Sequence, residues 1–346
     1  MLVKFESFRD SPPEGWDNFV ESLGGTVFHS SYWADLQRHV QGATPVFICG
    51  RDESGHPTGV ALGLLRQSRR PVLGRLSRAF ELPSYPATLS PQLRAGEALI
   101  RESERVASRF GCARITIHSN FSGRSELLRE FPDYVTRDRF EFEVDLSAET
   151  EILWKAVKKD QRDRIRKLEQ SGVEYEWTTR PDAVDVLGAV RETALERRVE
   201  RNQGFALPSD PDYYRKLYDA LIAPGAARLM IAKQRGTVIA AILYATFARK
   251  AYSVFSGSTE TGYKLGAQTG LFWYALSTLK AEGYRVLNRG GTPAEAADEK
   301  HPLHGIYRFK ERLGTTPVLC RSGEKILSPF KHRVAEALNT VRSRIG

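Results

Sequence analysis

The sequence predicts two similar α/β domains in tandem, and three observations carry that expectation. The chain is 346 residues long, a length that suits two domains better than one. The order hairpin, helix, glycine, strand occurs twice along it. The two copies stand at a nearly constant offset: Ile48 and Ile231 are 183 residues apart, Gly111 and Gly283 are 172 apart. Such a period marks a duplicated supersecondary unit, not a solenoid.

The elements follow in order. Residues 45–65 read as a hairpin: PVFICGR and TGVALGLL flank the turn chemistry of DESGHP. A stretch ending in SYPATLSP leads to a helix over 93–110, which Gly111 ends. ARITIH (113–118) alternates as a strand does. In the second copy, RLMIAK and TVIAAILYATF flank QRG, and a further strand covers 251–256. The helix 268–282 ends at Gly283, and YRVLN follows as a strand.

Between the copies, FEFEVDL (140–146) alternates as a strand. Ser147 is placed to cap a helix with Thr150 and Glu151 in its first turn. Leu153, Val157, Ile165 and Leu168 give it an apolar stripe. Its other surface carries Lys155, Lys158, Lys159, Arg162, Arg164, Arg166 and Lys167 against Asp160, Asp163 and Glu169. Two readings stay open: a face for RNA or phosphate, or an exposed helix stabilised by mixed charge pairs. No heptad pattern persists, so no long coiled-coil arm is expected. Residues 328–344 read as a basic terminal helix. The expected boundaries are 1–146, 147–325 and 326–346.

Composition narrows the function. The chain is 41% hydrophobic, 27% charged and 10% aromatic, which excludes disorder, collagen and coiled-coil fibre. The longest apolar run, Val238 to Ala248, is about half a membrane span. MLVKFESFRD lacks the apolar region of a secretory signal. Cys49, Cys112 and Cys320 are too few and too scattered for a disulfide framework or a zinc ribbon. A soluble cytoplasmic protein is expected. The net charge of +9 favours polyanionic partners such as RNA, an anionic lipid surface or phosphorylated small molecules; a merely basic solvated surface is the plainer alternative.

Several chemistries have no sequence support. There is no G-x-S-x-G elbow, Walker loop, dinucleotide fingerprint or H-E-x-x-H. His301 and His304 form an H-x-x-H, but Pro302 lies between them and no further ligand sits at metal spacing. No metal and no bound cofactor are expected.

Two segments of the second copy remain, residues 252–291 and HGIYRFKERLG (304–314). The first holds Tyr252, Ser256-Gly257-Ser258, Tyr263, Trp273, Gly283-Tyr284 and Gly290-Gly291. The second holds Gly305, Tyr307, Arg308, Phe309, Lys310 and Gly314. Together they resemble the Fem-type peptidyltransferases, which use aminoacyl-tRNA to lengthen peptidoglycan bridges or small peptides. FHSSYW (28–33), with Trp33, and the basic helix before SGV fit the same resemblance.

The resemblance implies a tandem pair of GNAT-like acyltransferase domains. It implies that a free amine attacks an activated acyl carbon. The donor would be aminoacyl-tRNA, and the acceptor a peptide or a nucleotide-linked peptidoglycan precursor; peripheral contact with the inner membrane surface would suit the basic charge. It assigns Lys310 to holding the activated donor and Phe309 to shaping the site. Substrate contacts are expected from Tyr307, Arg308, Tyr252, Ser256, Gly257, Ser258, Tyr263, Trp33 and Tyr85. For Trp273, core packing is the stronger reading. The chemistry of the residues agrees: Lys310 and Arg308 place positive charge where a phosphate or a developing oxyanion can be held. An aminoacyl ester is already activated, so positioning the amine and moving one proton suffice.

The chain departs from the family at one point of chemical weight. His118-Ser119-Asn120 stands where many members carry Asp-Pro, so no carboxylate base carries over. The substrate amine's own equilibrium, His118 and Tyr85 are the remaining proton acceptors. Two alternatives stay beside the first reading. An acyl-CoA N-acyltransferase acting on an amino sugar or amine would need a Q/R-x-x-G-x-G/A loop at a helix start. Aligned on Gly266, that motif puts Tyr263 and Gln268 at positions meant for Gln or Arg and for Gly or Ala. A non-enzymatic RNA- or envelope-associated protein is the other.

Overall fold

The computed structural model describes residues 4–67, 74, 76–89, 93–122, 127–200, 210–334 and 337. The chain divides into two units, Met1–Asp138 with Cys320–Gly346, and Arg139–Leu319. The sequence reading put its boundaries at 146 and 325. Strand pairing explains the difference: residues 139–145 pair with a strand of the second unit, and residues 323–326 with a strand of the first.

The strands in chain order are β1 (Lys4–Arg9), β2 (Thr44–Arg51), β3 (Pro57–Arg66), β4 (Ala79–Leu82), β5 (Ala87–Thr88), β6 (Arg114–Ile117), β7 (Val135–Asp145), β8 (Val173–Thr178), β9 (Ala227–Gln234), β10 (Thr237–Phe247), β11 (Lys250–Ser258), β12 (Val286–Pro293) and β13 (Thr316–Ile326).

In the first unit the order is β1-β2-β3-β4-β6-β13, with β5 on β3. Only the β4–β6 step is parallel. The helix Leu93–Arg109 supplies the crossover that a parallel step needs. The predicted hairpin is β2–β3. Its turn closes through Asp52, whose Oδ1 accepts from the backbone N–H groups of Ser54 and His56, both at 2.9 Å. Ile48, Phe80, Ile100, Ile115 and Ile117 are buried in this unit's core.

The second unit repeats the plan as β7-β12-β11-β10-β9-β8. Its one parallel step is β11–β12. The crossover runs through the helices Glu260–Leu265 and Ala267–Ala281. The longer helix buries Leu271, Phe272, Ala275, Leu276 and Leu279 together with Ile242 and Ala240 of β10. The duplicated α/β plan read from the sequence is therefore present.

The basic helix is in fact two, Thr150–Ala156 and Lys159–Gln170, broken at Val157–Lys158. Ser147 does not cap it; Glu149 holds the cap position. The break is itself satisfied by charge, because Arg162 Nη1 donates to the carbonyls of Lys155 (3.1 Å) and Val157. No long coiled coil occurs among the described residues, and no described helix is long and apolar enough to cross a membrane. Of the expected terminal helix 328–344, residues 329–334 and 337 are helical, and the rest lies outside the described residues.

Candidate functional site

The site begins with a sheet that opens. β11 and β12 are in parallel register for three residue pairs only: Lys250 with Val286, Ala251 with Leu287 and Tyr252 with Asn288. Beyond that point each strand keeps only its outer neighbour, β10 as far as Ser258 and β7 as far as Pro293. Where the strands part lies a cleft of about 520 Å³, walled by residues 252–258 and 289–293. Tyr263, Gln268, Phe309 and Lys310 also line it.

A bulge shapes one wall. Asn288 is registered with Glu143, but the next registered pair is Gly291 with Glu141, so β12 spends an extra residue at Arg289–Gly290. Gly290 has φ +72°, a left-handed conformation that glycine takes without strain. Asn288 holds the bulge: its Oδ1 accepts from the Gly290 N–H at 2.7 Å. Its Nδ2 donates to Glu141 Oε2 at 2.8 Å and to Glu143 Oε1 at 3.1 Å.

The missing side chain at Gly290 leaves a methyl-sized space on which two reactive groups converge. A Cβ there would stand 3.6 Å from Tyr252 Oη and 3.7 Å from Lys310 Nζ. Lys310 comes from the helix His304–Arg312 and donates from Nζ to the Gly291 carbonyl at 3.1 Å. Its ammonium lies 5.4 Å from the Phe142 ring centre, a cation–π contact that steadies it. Tyr252 Oη donates to Glu141 Oε1 at 3.3 Å. Glu141 is fully buried and also meets Arg139 at 3.3 Å. Burial, and then the charge of Glu141, push the Tyr252 phenol far above the usual tyrosine range.

The cleft is electrically one-sided. Arg197, Arg289 and Lys310 line it, and no Asp or Glu does among the described residues. Arg197 donates to the Ser258 carbonyl at 2.7 Å, meets Glu260 at 3.6 Å and lies over the Tyr263 ring. Arg289 donates from Nη1 to Ser253 Oγ and from Nη2 to Gln268 Oε1, both at 3.0 Å. The Gln268 amide is oriented by its Nε2, which donates to the Gly257 carbonyl at 2.7 Å.

The residues expected from the sequence fall into three groups. Tyr252, Ser256, Gly257, Ser258, Tyr263, Phe309 and Lys310 line the cleft together. Tyr307 and Arg308 share the helix of Lys310 but point elsewhere. The Tyr307 ring packs on Phe140 and Phe142 at 5.6 and 5.2 Å, and Arg308 is exposed. Helical periodicity explains the split, because Leu303, Ile306 and Lys310 lie on one face and Tyr307 and Arg308 do not. Trp33 and Tyr85 belong to the first unit. The Trp33 ring packs edge-on against Phe28 at 4.7 Å, and Tyr85 is buried with its hydroxyl donating to the Arg321 carbonyl. His118 is in the first unit as well, its backbone N–H bonded to the Leu82 carbonyl at 2.8 Å. Trp273 packs on Trp154 with ring centres 4.6 Å apart, in keeping with a packing role. His301 and His304 are tied to backbone: His301 Nδ1 accepts from the Leu303 N–H at 3.1 Å, and His304 Nδ1 lies 3.1 Å from the Ala296 carbonyl.

Sequence reasoning missed Glu141, Ser253, Gln268, Arg289 and Arg197. One local signal was available: Arg289 is a charged residue inside the strand VLNRGGTP, where burial demands a reason. For the basic helix, mixed pairing accounts for part of the charge. Asp163 meets Arg166 at 3.0 Å, and Asp160 pairs with Arg312.

The buried acids make a pH prediction. Burial raises the Glu143 carboxyl, and Glu141 beside it raises it further. The folded protein therefore holds the Glu143 proton more tightly than the unfolded chain. Stability falls as pH climbs from the ordinary value of 4.5 through the raised folded value. Glu143→Gln keeps an acceptor for Asn288 and removes the titration. Its melting temperature is expected to exceed wild type at neutral pH, with the gap closing at acid pH. A parallel pair of melting curves across that range refutes the assignment.

Known proteins resemble the chain in part of its sequence and in its fold. Residues 155–311 match the family model described as an acetyltransferase (GNAT) domain. No curated protein sequence matches the chain. The crystal structure of FemX is similar at TM-score 0.75 and 15% identity, over 95% of this chain and 100% of that one. The structure of L-PGS from Bacillus licheniformis is similar at 0.58 and 16%, over 97% and 98%. The C-terminal domain of a putative lysylphosphatidylglycerol synthetase from Agrobacterium fabrum follows at 0.54 and 15%, over 93% and 96%. Residues 155–311 of the second unit thus match the acetyltransferase (GNAT) domain family. The chain as a whole has the Fem-type fold, a tandem pair of GNAT-like domains.

Proposed function

We propose that the protein is an aminoacyltransferase that forms an amide bond in the β11–β12 cleft. The donor is aminoacyl-tRNA, and the acceptor is the amine of a peptide or of a peptidoglycan precursor. One observation carries the reading: Lys310 Nζ and Tyr252 Oη converge on the space above Gly290, in a cleft lined by cations and, among the described residues, by no carboxylate. Similarity to FemX and to a protein named as a lysylphosphatidylglycerol synthetase supports aminoacyl rather than simple acyl transfer. We place the reaction in the cytoplasm, where charged tRNA is found.

The chemistry needs three things. The ester carbonyl must be polarised, the amine must lose one proton, and the leaving ribose oxygen must gain one. Lys310 supplies the charge that stabilises the oxyanion as the C–N bond forms. Tyr252 keeps its proton at neutral pH, so it does not act as a free phenolate. It works as a relay: it accepts the amine proton while passing its own to Glu141. The proton returns by the same route as the C–O bond breaks, so the cycle closes without a net change in the enzyme.

The test is transfer of a labelled amino acid, with total tRNA, synthetases and a small-molecule extract as acceptor. Label is expected in a new amide, and RNase added at the start is expected to prevent it. RNase-insensitive transfer from acetyl-CoA instead would replace this reading with an acyl-CoA N-acyltransferase. Label in neither experiment, with salt-sensitive RNA binding retained, would favour a non-enzymatic protein.

A further inference from the structure

Among the described residues, Arg289 is a buried cation without a counter-charge. It is 6% exposed, and no carboxylate lies within ion-pair distance of it among the described residues. The half-buried arginines Arg66, Arg228 and Arg321 each meet one, in Glu81, Glu282 and Asp138. The side-chain partners of Arg289 are neutral: Ser253, Gln268 and the Phe272 ring, whose centre lies 5.5 Å from the guanidinium carbon. Its Nε is buried with no hydrogen-bond partner, and so is the nearby Tyr244 hydroxyl. Burial pushes the Arg289 guanidinium below the ordinary arginine range. A charge held this way is costly in the empty protein, and the cost falls when an anion enters.

The position says what kind of anion. Arg289 lines the cleft and precedes Gly290, above which Lys310 and Tyr252 converge. Ser253 lines it too, and its oxygen accepts from Arg289. Its hydroxyl hydrogen therefore remains to be donated. One guanidinium and one hydroxyl match the single charge and two oxygens of a carboxylate better than a phosphate dianion. An aminoacyl ester has its α-carboxyl tied up in the ester. Only an aspartyl or glutamyl ester carries a second carboxyl; with any other donor a free carboxylate this close to the reacting groups belongs to the acceptor.

We propose that Arg289 and Ser253 form a subsite for a carboxylate on the acceptor, so that the substrate is an amine that also bears a free carboxylate. The assignment to the acceptor rests on reading the cleft as the transfer site.

Acetate is the probe, followed by saturable broadening of its ¹³C signal in the presence of the whole protein at constant ionic strength. Wild type is expected to bind acetate saturably and acetamide not at all. Arg289→Gln should weaken acetate about tenfold or more, the scale of a charged hydrogen bond. Ser253→Ala should weaken it by a smaller factor. Arg289→Lys keeps the charge and loses the fork, so it should fall between; it also serves if the glutamine variant fails to fold. Inorganic phosphate should compete less well than acetate itself. The subsite is refuted by absence of saturable binding, by equal binding to the folded Arg289 variants, or by phosphate displacing acetate at the lower concentration. Failed transfer with Arg289-dependent acetate binding intact would remove the proposed reaction and leave the subsite. Successful transfer without acetate binding would remove the subsite alone.

Discussion

Lys310→Met is expected to lower aminoacyl transfer by about 10²- to 10³-fold while leaving the protein folded. The magnitude is that of deleting one preorganised charge from an oxyanion site. Methionine keeps most of the aliphatic stem against Phe142 and loses only the ammonium. The structural cost includes the hydrogen bond to the Gly291 carbonyl, about 1 kcal/mol, and the cation–π contact with Phe142. Transfer should therefore collapse with a change of only a few degrees in melting temperature. Lys310→Ala should lose transfer to the same extent, which separates charge from packing. If Lys310→Met keeps more than a tenth of wild-type transfer, the reaction centre is not above Gly290.

Tyr252→Phe carries the second large effect. The ring stays in place between β11 and the buried acids, and only the hydroxyl is removed. Without it the amine proton has no path to Glu141, and turnover should fall about 10²-fold or more. The deficit should shrink as pH rises, because hydroxide then takes over proton removal. Glu141→Gln tests the far end of the relay. The glutamine variant cannot take up the proton and should be slow at every pH. A pH-independent deficit in Tyr252→Phe would make the hydroxyl a positioning group and overturn the relay.

These two predictions differ in how far the sequence foresaw them. Lys310 and Phe309 were readable because the motif Y-R-F-K-E-R-L-G is contiguous and lies on one short helix. Even there the sequence could not sort the motif by direction. Tyr307 and Arg308 were expected at the site, yet the turn of the helix sends Tyr307 to Phe140 and Phe142 and leaves Arg308 exposed. The partner of Tyr252 was not readable at all. Glu141 lies 111 residues away in FEFEVDL, where acids at alternate positions look like the solvent side of a half-buried strand. Sheet pairing on β12 buries Glu141 instead.

Trp33 and Tyr85, also expected among the substrate contacts, belong to the first unit, while the cleft residues belong to the second. The basic helix was legible in part. Its apolar stripe was correct, since Leu153, Val157, Ile165 and Leu168 are all buried. Its continuity was not, because a break at Val157–Lys158 turns the chain while keeping the stripe inward.

By itself, the sequence determined the duplicated α/β plan, the cationic character of the chain and the contiguous motif that carries Lys310. Each of these is written in local periodicity, composition or a contiguous motif. Only the tertiary structure decided where the candidate site is, because the cleft opens at a failure of pairing: β11 and β12 stay together for three residue pairs and then part. It also decided that Arg289 lies buried with no carboxylate among the described residues, that Gly290 leaves room beside Tyr252 and Lys310, and that Glu141 is buried against the Tyr252 hydroxyl. The reason is physical. Burial, missing partners and the parting of two strands are set by residues far apart in the chain, and no local pattern encodes the distance between them.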